Sequence, residues 1–206
     1  VDYSRDTVKD WAGNSQFRAL RADLARFRVH GYSGWGSEGF WALAIYRLQR
    51  SVLAIGNKYV RAVPALLLSV LRKVFVIATG VDLNPLCEIG PGLLIPHGAQ
   101  IRIIQYTKIG ADCTIGHLST IGAGAIPGHA TIEDHVYISC HVCILGPVEI
   151  GEGATIAASS LIISNVPAGH TAIGVPAKIL PMAKDRGFGY SNMPMHKNVD
   201  PARVEE

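Results

Sequence analysis

The sequence predicts a mainly β protein, a parallel β-helix entered through an α-helical segment. Two observations carry this. From residue 80 onward, aliphatic residues recur every six positions. Before residue 80, apolar residues recur at helical spacing instead.

The helical part divides into three. FRALRADLARF at Phe17–Phe27 has apolar residues at helical spacing, and the segment Glu38–Leu53, with GFWALAIYRLQRSVL, repeats the pattern. Gly31, Gly34, Gly36 and Gly39 mark the connection between them. A third helix is expected over Lys58–Ala78, with Pro64 in its first two turns. Its stretch Ala62–Ala78 is the most membrane-like in the chain. Pro64, Arg72 and Lys73 interrupt it, so it reads as too short and too charged to span a bilayer. A buried or interfacial helix is expected, and peripheral contact with a membrane surface is compatible with it.

The repeat begins at Leu83 and continues through Ile89, Ile95 and Ile101. A second run is Ile103, Ile109, Ile115 and Ile121; a third is Ile132, Ile138, Ile144, Ile150, Ile156 and Ile162. An amphipathic helix would repeat near 3.6 and a simple strand near 2. Fourteen aliphatic residues on a six-residue grid fit neither. They fit a prism in which each short strand forms one flat face, so that about eighteen residues close one triangular coil. Stacked coils then pile the aliphatics into a continuous core. The grid slips between Ile101 and Ile103, and again across GAGAIPGHAT, which contains His129. Slips mark loops that leave the regular wall, where function concentrates. Beyond Leu180 the periodicity ends, and the tail 181–206 is expected to be an arm or a strap over a neighbour. Three units follow: 1–79 helical, 80–180 β-helix, 181–206 tail.

Composition narrows the function classes. Apolar residues make up 49% and charged residues 17%, which supports a packed core and argues against disorder. A net charge of +3, without a basic run interleaved with aromatics, gives no footprint for nucleic acid. Cys87, Cys113, Cys140 and Cys143 have apolar neighbours, and no signal peptide opens the sequence. They read as core residues of a reducing, cytoplasmic compartment. Cys140 and Cys143 form a C-x-x-C pair without the second pair a zinc site needs, so no metal is expected.

Several motifs, taken in order, resemble the hexapeptide-repeat acyltransferases, in particular the serine acetyltransferases and related O-acetyltransferases of polysaccharide biosynthesis. GFWALAIYRLQR at 39–50 resembles the helical motif before their β-helix, and GVDLNP at 80–85 their first coil, where Asn84 stands in place of a usual histidine. IPHG at 95–98 resembles the catalytic-histidine segment, GHATI at 128–132 the second histidine, and IGVPAKIL at 173–180 the closing motif. The resemblance covers roughly residues 20 to 180 and implies a left-handed coil and acetyl transfer from acetyl-CoA to a hydroxyl. It implies His97 as the base, Asp82 as its orienting carboxylate, and His129 as a second catalytic residue facing the acceptor. Taken alone, His97 is equally a surface corner histidine, Asp82 a helix-to-strand cap and His129 an exposed loop residue. Acetyl-CoA would pass Gly122, Ala123, Cys140 and Ala158, with Lys178 meeting a phosphate. His117, His135 and His141 read as wall or interface residues. The resemblance also implies sites between subunits, hence a homotrimer or a dimer of trimers.

The departures bear on the acceptor. Pro96 stands where the serine enzymes carry an aspartate, and in RVHGY the residue nearest a second substrate aspartate is Gly31. The final residues Val-Glu-Glu replace a tail ending in isoleucine. These changes favour a sugar or another small hydroxyl acceptor over free serine, and docking to a cysteine synthase is not expected. Two other classes are a zinc-dependent β-helix enzyme of the carbonic anhydrase type and a non-catalytic scaffold. The H-x-x-x-x-H spacing that commonly serves the first is missing, and retention of Asp82, His97 and His129 argues against the second.

Overall fold

A computed structural model describes residues 14–181. The tail expectation for 182–206 lies outside the described residues. Helices α1 (Asn14–Val29), α2 (Glu38–Leu53) and α3 (Lys58–Thr79) precede fourteen short strands. Asn57 caps α3 by accepting from the Tyr59 and Val60 amides, and Gly80 ends it in the left-handed conformation that glycine adopts without steric cost. The change of pattern near Gly80 is therefore a helix stop followed directly by the first strand.

The strands form the three faces of a prism. The first face holds β1 (Asp82–Leu83), β3 (Arg102–Ile103), β6 (Thr120–Gly122), β9 (Cys143–Leu145) and β12 (Leu161–Ile162). The second holds β2 (Glu88–Ile89), β4 (Lys108–Ile109), β7 (Thr131–Ile132) and β10 (Glu149–Ile150). The third holds β5 (Thr114–Ile115), β8 (Tyr137–Ile138), β11 (Thr155–Ile156), β13 (Thr171–Ile173) and the closing β14 (Lys178–Leu180). Every pairing is parallel and links neighbouring coils, except the β13–β14 hairpin.

The six-residue repeat has two structural positions. The aliphatic at each strand end points inward, so Ile103, Ile121 and Ile144 stack under one face, all but inaccessible to solvent. Each such isoleucine stabilises the fold by about 1.5–3 kcal/mol through burial. Three residues later the chain turns through positive φ, at Tyr106, Asp112, Leu118, His135, His141 and Ser159, and at Gly92 and Gly153. His135 and His141 thus occupy the same corner position on successive faces, as their spacing predicts.

The first slip lies elsewhere than its sequence position suggested. Leu94 bridges Thr114, and Arg102 pairs with Thr120, so eight residues here span what six span in the next coil. The two extra residues fall within 96–99, at the third-to-first edge, and the left-handed corner moves to Gln100. Ile101 is buried, but off the grid.

Helices α1 and α2 share one core with the first coils. Phe27, Phe40, Leu43 and Tyr46 join Ile89, Leu93 and Ile95 in a single cluster. Buried polar groups pin the layers. Arg47 donates from Nη1 to the Ile89 carbonyl (2.7 Å), from Nη2 to that of Gly90 (2.6 Å), and from Nε to Asp23 (3.0 Å). Asp23 in turn accepts from the Leu93 amide at 3.0 Å. Tyr46 donates to the Cys87 carbonyl at 2.8 Å. Arg26 reaches the Gly92 carbonyl at 2.5 Å and that of Cys113 at 3.0 Å. Helix α3 differs: none of its residues is buried. That corrects the expectation of a buried helix over 62–78. At 22 residues it is also long and apolar enough to cross a membrane by length and composition, contrary to the reading as too short.

Candidate active site

His97 sits on the two-residue insertion at the third-to-first edge. The insertion lifts it off the regular wall, and its side chain is exposed. The first turn of α2 lies directly beneath it. Close approach requires glycine on both sides: a Cβ on Gly98 would stand 2.5 Å from the Gly39 nitrogen, and one on Gly39 would meet the Ile95 backbone. The motifs at 39–50 and 95–98 are thus in contact.

Aromatic rings hold the imidazole on two sides. Tyr32 lies edge-on to it at 6.0 Å between centroids, and His117 at 5.9 Å. His141 continues the column, 6.0 Å from His117. Tyr32 had no signal in spacing, because it arrives from the α1–α2 connection. His117 had one: it follows His97 by twenty residues, one eighteen-residue coil plus the two inserted.

Asp82 begins the first face along this same edge, where Gly80 packs against Gln100. Its carboxylate is held by the guanidinium of Arg72 from α3. No hydrogen bond joins Asp82 to His97 among the described residues.

Strand register sorts the remaining residues. Ile115, Ile138 and Ile156 are partners, so His117, Cys140 and Ala158, two residues further on, fall in line below His97. The Ser159 amide donating to the Cys140 carbonyl at 3.0 Å confirms the alignment. Lys178 pairs with Ile173 near the lower end of this edge. Gly122 and Ala123 instead leave the first face at its other edge, the first-to-second. There the second slip adds five residues, and His129 lies exposed on that loop with its ring 5.2 Å from Tyr106. The sequence-predicted site residues therefore fall into two groups, separated by the width of the first face. His97, Asp82, Cys140, Ala158 and Lys178 line one edge, and His129, Gly122 and Ala123 line the other.

All four cysteines are free thiols. Burial pushes Cys87 and Cys113 up to about 12, so both stay protonated at neutral pH. Among the described residues no three His, Cys, Asp or Glu side chains are grouped to hold a metal ion.

The stacked hexapeptide coils form a left-handed β-helix, and a family model described as bacterial transferase hexapeptide (six repeats) matches part of it, residues 129–164. The chain is similar to serine acetyltransferases. It is 37% identical over 111 residues to one from Helicobacter pylori strain J99, which covers 52% of this chain and 64% of the relative. The chain thus spans less than two thirds of that relative's length. Its fold superposes with a TM-score of 0.70 on the serine acetyltransferase of Neisseria gonorrhoeae in complex with serine, at 27% identity, over 81% of this chain and 69% of that one. A serine acetyltransferase in complex with CoA gives 0.68 at 26% identity, over 81% and 70%.

Proposed function

We propose that the chain is an acetyl-CoA-dependent O-acetyltransferase of small hydroxyl compounds, with L-serine the first acceptor to test. The observation that carries this reading is His97, lifted from the wall by a two-residue insertion in a fold that superposes on serine acetyltransferases over most of its described length. The relatives shift the balance toward serine and away from the sugar acceptor that the sequence favoured.

The chemistry needs a base, a clamp for the thioester and a donor for the developing oxyanion. His97 takes the proton of the acceptor hydroxyl as its oxygen attacks the thioester carbonyl carbon. The tetrahedral intermediate collapses, the carbon–sulfur bond breaks, and the imidazolium returns the proton to the departing thiolate. Tyr32 and His117 limit the tilt of the imidazole. Asp82, anchored by Arg72, supplies negative charge along the same edge for the imidazolium. We read the two groups of residues as half-sites that assembly completes. In a cyclic trimer the edge of one protomer that carries His97 meets the edge of its neighbour that carries His129, which then orients the acceptor or hydrogen-bonds the oxyanion. The CoA arm lies in the groove between them, past Cys140 and Ala158 on one side and Gly122 and Ala123 on the other, with Lys178 at a phosphate.

A second reading keeps the chemistry and changes the acceptor to a sugar hydroxyl. Pro96 beside His97 favours it, since proline offers neither charge nor N–H to an amino acid. Thiol release from acetyl-CoA, with L-serine and then a panel of sugars and nucleotide-sugars, separates the two. Turnover of His97→Ala near that of the parent protein would remove the base assignment, and no release with any acceptor would remove the activity.

A further inference from the structure

Helix α3 presents an apolar face for which the prism has no use. Its inner side is committed: Phe75 packs on the shared core, and Arg72 pairs with Asp82. Its outer side carries Leu66, Val63, Val70, Val74, Leu67 and Ile77, each more than half exposed. At about 100° per residue these six fall within an arc of roughly 100°, with Tyr59 among them and Lys73 at its margin. An apolar stripe of that length exceeds the scattered exposed residues normal on a soluble surface.

The charge around the stripe identifies what would cover it. Between Glu38 and Asp82 no acidic residue occurs; Arg47 and Arg72 are committed to Asp23 and Asp82, which leaves Arg50, Lys58, Arg61 and Lys73 as the basic residues of this segment outside those ion pairs. A second copy docked through a two-fold contact would bring this basic segment against itself with no carboxylate from it to answer. An anionic surface answers it directly. We infer that α3 is an interfacial docking helix, which seats the protein on anionic phospholipid with the apolar arc in the headgroup–acyl boundary and Lys58 and Lys73 among the phosphates. Tyr59, 77% exposed beside Lys58, suits the same boundary. The helix lies in the membrane plane. Spanning would draw the Arg72–Asp82 pair and the first coil into hydrocarbon, where neither is tolerated.

The experiment is cosedimentation of the full chain with phosphatidylcholine vesicles, with and without phosphatidylglycerol, over a salt titration. Pelleting is expected only with phosphatidylglycerol, and it weakens as salt rises. Lys58→Glu with Lys73→Glu, and separately Leu66→Ser with Val70→Ser, should each lower the bound fraction on the order of tenfold. All four positions face solvent, and circular dichroism confirms the fold of each variant. Failure to pellet with either vesicle, or equal pelleting with both, would overturn the inference; so would cross-linking through α3 in solution that vesicles do not compete with. The salt titration of the parent protein decides the matter without any variant.

Discussion

The Asp23–Arg47 pair is the connection through which the helical layer holds the first coil. Both side chains are essentially inaccessible, at 0% and 1% exposure. Replacing Arg47 by Met removes the ion pair and the donors to the Ile89 and Gly90 carbonyls, and it strands a carboxylate that burial already pushes toward its neutral form. Breaking a buried pair from one side costs about 3–5 kcal/mol, because the remaining charge has no solvent. Asp23→Leu should cost about as much, since it leaves Arg47 without its partner. The double variant leaves no buried charge, so its loss should fall short of the sum of the singles by roughly 2–3 kcal/mol. Urea unfolding followed by far-UV circular dichroism measures all four proteins, at one protein concentration because assembly shifts apparent stability. Additive losses, or an Arg47→Met cost below about 1 kcal/mol, would refute the claim that the two side chains act as a pair.

Three further outcomes follow from the same geometry. If the site is shared between protomers, mixing inactive His97→Ala and His129→Ala proteins after partial unfolding and reassembly should restore transfer at mixed interfaces; no recovery in trimers shown to be mixed would exclude a shared site. Gly98→Ala should disturb the seat of α2 under His97, lowering turnover about tenfold or more, as expected for displacement of a catalytic group, with little loss of β-helix signal; unchanged turnover would show that the contact can relax. Because burial holds Cys87 and Cys113 near 12, a disulfide reagent at pH 8 should modify Cys140 and Cys143 in the native state and reach the other two only on unfolding. Four equally fast thiols would contradict that burial.

The period-six grid alone determined the prism, its faces and about half of its core, because one obligatory inward aliphatic per face is a constraint the sequence must carry at every strand; Leu93, Val136, Val142 and Val148, each two residues before a grid position, are buried beside it. Helical spacing of apolar residues located the helices to within a few residues, and the ordered motifs singled out His97, Asp82 and His129. The tertiary structure decided what depends on register and on distant segments. Strand pairing moved the first slip from Ile101–Ile103 to the corner at His97, since both placements satisfy the spacing and only hydrogen-bond partners tell them apart. Packing brought Tyr32 to His97 and Arg72 to Asp82 across connections whose path no local pattern encodes. It also left α3 uncovered: apolar periodicity reports that a face avoids water, and only the arrangement of the other elements decides whether the protein itself supplies the cover.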